Sequence, residues 1–419
     1  MANHLLYILL DGVGDLPNDS LGGRTPLEAS DHPNMNAIAA KGRSGMVYTV
    51  GKGIAPESDI AVMCMLGYDP ESYTGRGPIE ALGSGLDMDN GDLAVRCNFA
   101  TVDERLNIVD RRCGRSLTSE EAAALADTIN SRVVLESHPA TFTFRSTIGH
   151  RAVLLIRSEG KLSGNISNTD PAYQRSGGVG MALKEFENRL MRCEPLDTSP
   201  EAKRAADLVN EFTTKSHKVL RDHPINRERA SSKKPPANAI LSRDAGSSLP
   251  DLPKIGDLYG MEFASVVEMP AERGIALLCG MDVVELPKAT GNLASDYERR
   301  AELVSELAGS YGGVYIHIKG PDEPAHDGDC YAKKRVIELI DAHFFGHLNV
   351  DLRQTVVAVT ADHSTPCALR AHSDDPVPLI VAGGTVESDG TEAFGERYCR
   401  GGSLGIMEGK DVLRRIIGL

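Results

Sequence analysis

VYIHIKGPDEPAHD, residues 314–327, is the stretch that decides how this chain folds. Val314 to Ile318 is a short apolar run, rich in β-branched and aromatic residues, and reads as a buried strand. It stops at the turn Lys319-Gly320-Pro321-Asp322. The run 331–345 (YAKKRVIELIDAHFF) then sets Val336, Ile337, Leu339 and Ile340 on one helical face. The same grammar recurs on both sides. Thr355 to Val359 (TVVAV) ends at Thr360-Ala361-Asp362-His363, and Val377 to Val381 (VPLIV) is a further apolar strand. Leu5 to Leu10 (LLYILL) runs into Asp11-Gly12-Val13-Gly14, and a short helix is expected over 33–42. Apolar strands alternating with helices predict an α/β domain with a mainly parallel sheet flanked by helices.

The middle of the chain reads differently. From about Gly77 to about Met261 the strands look shorter and less apolar. Helical patterns at Ser119 to Asn130 and Pro200 to Thr214 alternate with polar loops. Residues 215–236 are basic and end in Lys-Lys-Pro-Pro, the pattern of a solvated helix and exit loop rather than a polyanion site. The middle is expected to be a smaller α+β domain inserted into the first. The expected bounds are 1–75 and 262–419 for the discontinuous outer domain and 76–261 for the insert. Gly177-Gly178-Val179-Gly180 follows no clear strand, so a dinucleotide fold is not expected, and no GxxxxGK[ST] run occurs.

Composition narrows the classes of function. A chain of 419 residues is long enough for more than one core. It carries 45 basic and 59 acidic residues, a formal charge of −14, which argues against a nucleic-acid or anionic-membrane partner. A local arginine cluster could still hold a small anion. Eight cysteines occur with no CxxC pair, so reduced thiols are expected rather than a Cys-rich zinc site or a disulfide framework. The opening apolar run is too short for a cleavable signal, and no run approaches a membrane span, so the expected address is the cytoplasm. Oligomeric state is not legible.

The strand ends carry the chemistry. Asp11 follows the first apolar run, Asp322 and His326 follow VYIHI, Asp362 and His363 follow TVVAV, and His372 lies shortly after. In open parallel sheets, sites form in the crevice beyond the carboxyl ends of the strands, so distant residues meet there. A single Asp at a strand end is usually a turn former, and a single His is usually a hydrogen-bonded loop residue. The set together points to metal binding. Asp322 and His326 share a face if their segment is one helical turn. Asp362 and His363, adjacent in an extended loop, are expected to point to opposite sides and serve different cations. Oxygen and imidazole ligands without thiolate suit manganese, magnesium or zinc. Ser58, in Pro56-Glu57-Ser58-Asp59-Ile60, stands before the helix-like run 61–66. It reads equally as a helix N-cap and as a nucleophile backed by the N–H groups of a helix start.

Taken in order, several motifs bear a resemblance. They are Asp11-Gly12-Val13-Gly14-Asp15, Ser58-Asp59, Leu66-Gly67-Tyr68-Asp69-Pro70, Gly75-Arg76-Gly77-Pro78, Asp322 to Asp329, Asp362 to Pro366, and His372 to Pro378. Over nearly its whole length the chain resembles the archaeal-type cofactor-independent phosphoglycerate mutases of the alkaline phosphatase superfamily. The resemblance implies an alkaline-phosphatase-like sheet. It also implies interconversion of 3-phosphoglycerate and 2-phosphoglycerate through phosphoserine at Ser58, with two divalent cations and no 2,3-bisphosphoglycerate. Manganese is the first expectation for those cations, with magnesium, cobalt or zinc as alternatives. By position, Asp11, Ser58, Asp362 and His363 match the ligands of one cation, and Asp322, His326 and His372 those of the other. Asp110, Arg111 and Arg115 match a substrate-holding pattern, Arg243 an arginine near the phosphate, and His150-Arg151 and Lys288 are added on the same ground. The chain departs from the family pattern at Asp244, where a glycine is usual, at Lys288, and at Asp374, again for glycine. The alternatives are a metal-dependent phosphoester hydrolase with the same ligands and a catalytically silent binding protein. The arginines of the middle segment favour the mutase, because a mutase must retain glycerate between two transfers.

Overall fold

Leu5 to Leu10 is apolar at every position and is buried at every position. Only a strand covered on both faces satisfies such a pattern. The computed structural model of the chain describes residues 4–176, 179–183 and 185–419. Gly177 and Gly178 of the glycine-rich run lie outside the described residues. The strand His4–Leu10 is central in an eight-stranded sheet. The strand order is Asp282–Val283, Phe263–Val266, Gly313–Ile318, His4–Leu10, Thr355–Ala361, Val377–Ala382, Gly42–Tyr48, Gly405–Glu408. His4–Leu10 pairs in parallel with Gly313–Ile318 on one side and with Thr355–Ala361 on the other. Val377–Ala382 runs antiparallel to both its neighbours, so the sheet is mainly, not wholly, parallel. The expected α/β class holds. Parallel registry is what matters for function: Leu9 stands beside His317 and beside Thr360. The ends of three strands, with Asp11, Asp322 and Asp362 just beyond them, are therefore side by side.

Two compact units divide the chain. The first comprises 1–73, 251–268 and 275–419, and the second 74–250 and 269–274. Residues 251–261, expected in the insert, fall in the first unit. The reason is local: the short helix Ile255–Tyr259 leads into the sheet strand Phe263–Val266, and the Ile255 N–H bonds to the Cys279 carbonyl.

In the second unit short strands such as Ile108–Asp110 stand beside longer ones. Leu93–Val102 has ten residues, all buried, and pairs antiparallel with Arg151–Ser158 and Ala239–Gly246. Arg151–Ser158 pairs in turn with Ala140–Ser146. The helices Ser119–Arg132 and Pro200–Arg221 cover this antiparallel sheet with Leu125, Ile129, Val209 and Phe212. The sequence looked weak here because Arg96, Asn98 and Thr101 interrupt the apolar run, yet each is buried with it. Among the described residues no helix is long and apolar enough to cross a membrane.

Candidate active site

In the first unit, Asp11, Asp322, Asp362 and His363 follow strand ends, while His326 lies on the helix Asp322–Asp327 and Ser58 opens the helix Ser58–Met65. Asp362 spends Oδ1 on two backbone donors, the N–H of Gly12 at 3.0 Å and that of His363 at 3.1 Å. Its Oδ2, fully buried, accepts no hydrogen bond, and neither does Oδ1 of Asp11. A buried carboxylate oxygen left in that state is costly unless a positive charge faces it. Gly12 makes the arrangement possible. Its φ is +60°, and a Cβ there would lie 2.7 Å from Asp322 Oδ1 and 2.8 Å from Thr365 Oγ1.

The tautomers follow from the partners. Thr365 donates its hydroxyl proton to Asp322 Oδ1 at 2.7 Å, so it accepts from Nδ1–H of His363 at 3.0 Å. His326 Nδ1 meets the Arg370 carbonyl at 3.0 Å and His372 Nδ1 meets the Pro56 carbonyl at 2.7 Å; a carbonyl only accepts, so both rings donate there. All three histidines thus turn Nε2 inward with Nδ1 held by an outer partner, the usual arrangement of an imidazole ligand.

These nitrogens converge. His326 Nε2 is 3.3 Å from His372 Nε2 and 3.4 Å from Asp322 Oδ2, and His372 Nε2 is 3.6 Å from Asp322 Oδ1. Two lone pairs at that distance repel unless a proton or a cation lies between them. Burial acts to lower the His372 imidazole, but Asp322 and Glu57 outweigh it and hold it up at about 9. The nest therefore draws positive charge. His363 Nε2 stands 3.2 Å from Asp362 Oδ2, 3.8 Å from Asp11 Oδ1 and 3.0 Å from Ser58 Oγ. Asp362 and His363 thus face one point rather than opposite sides, because the Gly12 and His363 amides turn the carboxylate inward. Burial raises the Asp11 carboxyl; Lys319 opposes this, while Asp362 and Asp322 add to it. Ligand atoms gather within 4.8 Å in two groups among the described residues, Asp322 with His363 and His372, and Asp11 with His317 and Asp362. His317 was not foreseen, because a histidine inside an apolar strand gives no sequence signal of its own. Oxygen and imidazole donors without thiolate fit a pair of divalent cations.

Ser58 is not the N-cap of its helix. Glu57 takes the cap position before the helix Ser58–Met65, and the Ser58 hydroxyl turns to His363 instead.

The substrate candidates fall into two groups. In the second unit, Arg243 Nη1 donates to Asp170 Oδ2 at 3.1 Å, and Arg111 donates from Nε to Asp170 Oδ1 at 3.0 Å. Both guanidiniums lie over the Tyr173 ring, at 4.1 and 5.0 Å. Arg76 and Arg96 sit 2.7 and 3.4 Å from Glu80. Burial, then Arg243 and Arg76, lowers the Arg96 guanidinium to about 10. Burial, then Arg151, Arg112, Arg243 and Arg96, pushes His150 down to about 3. Six arginines thus share one neighbourhood with three carboxylates, Glu80, Asp170 and Asp244. Such an excess of forked donors suits an anion. Asp110 is a turn former: its Oδ1 accepts the Arg112 N–H at 2.7 Å. Arg115, in the turn that follows, presses its charge on Arg112. Asp244 occupies a left-handed backbone position, φ +56°, a conformation that favours glycine. Its Oδ2 lies 3.4 Å from Arg243 Nε and 3.7 Å from Arg96 Nη1. Lys288 lies in the first unit, in the loop before the helix Leu293–Leu307, where its carbonyl accepts from Arg299 at 3.1 Å. Asp374 is exposed.

Residues 39–226 match the family described as 2,3-bisphosphoglycerate-independent phosphoglycerate mutase. An Aeropyrum pernix protein of that name is 44% identical, covering 97% of this chain and 96% of its own. One from Methanopyrus kandleri is 41% identical, covering 99% and 95%. The chain belongs to this mutase family. Solved structures agree. A Pyrococcus horikoshii protein superposes with a TM-score of 0.80 at 32% identity, covering 100% of this chain and 97% of its own. The cofactor-independent phosphoglycerate mutase of Thermoplasma acidophilum does so with a TM-score of 0.64 at 32% identity, covering 100% and 99%.

Proposed function

We propose that this mutase-family chain interconverts 3-phosphoglycerate and 2-phosphoglycerate, carrying the phosphoryl group on Ser58. What supports the reading is the Ser58 hydroxyl, 3.0 Å from Nε2 of His363, at a point where the ligand groups meet. A serine kept only for capping would bond to its own helix. Asp11, Asp362 and His363 are assigned to one cation with Ser58, and Asp322, His326 and His372 to the other. Two bound cations would stabilise charge on the entering and leaving oxygens of an in-line displacement.

The chain's own part is as follows. Ser58 Oγ loses its proton and attacks phosphorus; the bond from phosphorus to the glycerate oxygen breaks, and that oxygen takes up a proton. Because Ser58 opens the helix Ser58–Met65, a phosphate on it would stand near the N–H groups of the helix start, which favour an anion. Glycerate turns, its other hydroxyl attacks the same phosphorus, and the serine oxygen leaves. No water and no phosphorylated primer enter. Retention of glycerate is assigned to the arginines around Asp170, whose forked donors match carboxylate and phosphate.

The test is incubation of metal-loaded protein with 3-phosphoglycerate, following 2-phosphoglycerate and free phosphate together. Mainly 2-phosphoglycerate supports the proposal. Mainly free phosphate would make the chain a hydrolase, and neither product would make it a binding protein.

A further inference from the structure

The sequence gives His317 no role, and the ligand assignment above does not use it. The structure puts it where a ligand would stand. It lies at the end of the strand Gly313–Ile318, in parallel register with Leu9, two residues before Asp11. Thr360, two residues before Asp362, is in register with Leu9 from the other side. His317 thus underlies both carboxylates, and its side chain is wholly buried. Its Nε2 is 3.4 Å from Asp362 Oδ2 and 3.9 Å from Asp11 Oδ1. His363 Nε2 faces the same two oxygens at 3.2 and 3.8 Å.

Those separations discriminate between two roles. A histidine that hydrogen-bonds a carboxylate approaches one oxygen to about 2.7–2.9 Å. Donor atoms that share a cation stand apart by an edge of its coordination shell. With bonds of about 2.0–2.2 Å at tetrahedral angles, that edge is about 3.4 Å. The separations from Asp362 Oδ2, 3.4 and 3.2 Å, match that edge, and those from Asp11 Oδ1, 3.9 and 3.8 Å, are beyond hydrogen-bond reach. The second observation is the pair of buried oxygens themselves. Asp362 Oδ2 and Asp11 Oδ1 are both buried and both lie within 4 Å of the two Nε2 atoms, and the Lys319 ammonium stands 3.4 Å from Asp11 Oδ1 on the same patch of negative charge.

We propose that His317 binds, through Nε2, the cation held by Asp11 and Asp362, adding a buried nitrogen to that of His363. The inference rests on the reading that cations bind at these strand ends. It goes further in saying which ones. Two imidazoles with two carboxylate oxygens favour cobalt, zinc or manganese over magnesium, which prefers an all-oxygen shell with retained water.

The test uses the full chain, stripped with a chelator and titrated with cobalt, with visible absorption and chelator competition as readouts. The wild type should take up two cobalt ions per chain. His317→Gln, which keeps the size of the side chain, and His317→Ala should each weaken one of the two by about 100-fold. They should also alter the cobalt spectrum and narrow the preference for cobalt over magnesium. Folded variants with wild-type affinity and spectrum would overturn the proposal. Should neither variant fold, the wild type decides: with isotopically labelled cadmium and histidine nitrogen, a resolved coupling at His317 Nε2 supports it. Coupling at His363 without coupling at His317 overturns it. A wild type that binds no cation at all overturns the underlying assignment, and His317 with it.

Discussion

Lys333 is the buried charge on which the active-site loops depend, and its replacement makes a quantitative prediction. Its ammonium donates to the carbonyls of Gly14 and Thr365 at 2.9 and 3.0 Å and to Asp15 Oδ2 at 2.9 Å. Neither side chain of the Lys333–Asp15 pair is more than 1% exposed. Lys333→Met keeps the apolar stem but strands a buried carboxylate and two carbonyls. Removing one partner of a buried pair costs about 3–5 kcal/mol. Asp15→Asn in the same background removes the stranded charge, and the double variant should recover about 1–3 kcal/mol relative to the sum of the single changes. Recovery will be incomplete, because Asp15 also accepts the N–H groups of Leu16 and Cys367. Urea unfolding of chelator-stripped protein measures these differences. The effect should reach the site too. Thr365 orients both His363 and Asp322, so Lys333→Met should weaken cobalt binding by about 10-fold or more. A cost under about 1 kcal/mol, or strict additivity with Asp15→Asn, would refute the claim that this ion pair braces the loops.

Other outcomes follow from single residues. Glu396, buried and accepting from the Asp15 N–H and the Thr25 hydroxyl, has its carboxyl raised from 4.5 to about 7 by burial. The native state then binds more protons than the unfolded chain between those values, so this stabilisation is full below pH 4.5 and is lost as pH rises through about 7. Glu396→Gln should therefore be more stable than the wild type at pH ~8, by about 3 kcal/mol at most, and should match it at pH ~4; urea unfolding at both pH values checks this. Arg243→Ala leaves Ser58 and its ligands in place but loosens the arginine cluster. Free phosphate should rise relative to 2-phosphoglycerate, and an unchanged ratio with unchanged KM would remove Arg243 from the substrate site. Asp244→Gly takes a competing carboxylate away from Arg243 and Arg96 and frees a left-handed backbone position, so KM for 3-phosphoglycerate should fall. A KM that rises would show that Asp244 serves the substrate instead.

The sequence displayed one half of this site and hid the other, for physical reasons. Asp11, Asp322 and Asp362 are legible because a run of apolar residues ending in Asp marks the end of a buried parallel strand. Parallel pairing then puts such ends together. His326 and His372 follow the same loops. His317 was hidden because its strand reads as plain core, and only the register beside Leu9 reveals which residues it faces. The arginine cluster was seen in part. Arg111 and Arg243 are far apart in sequence, and Asp170, which bonds both, stands in a loop with no pattern of its own. Arg96 interrupts an apolar strand and so made Leu93–Val102 look weaker than it is. Lys333 gave no signal of its own, since nothing in that helix announces a buried lysine whose partners lie in two distant loops.

The phosphoryl group on Ser58 is the central claim, and acid quenching of metal-loaded protein during turnover of 3-phosphoglycerate tests it most directly, with mass analysis of the peptide that carries residue 58. The account predicts one phosphoryl group on Ser58 in the wild type. In Ser58→Ala it predicts none anywhere on the chain, with both 2-phosphoglycerate and free phosphate production abolished. Substantial mutase activity in Ser58→Ala, or a quenched wild type phosphorylated at another residue, would contradict it.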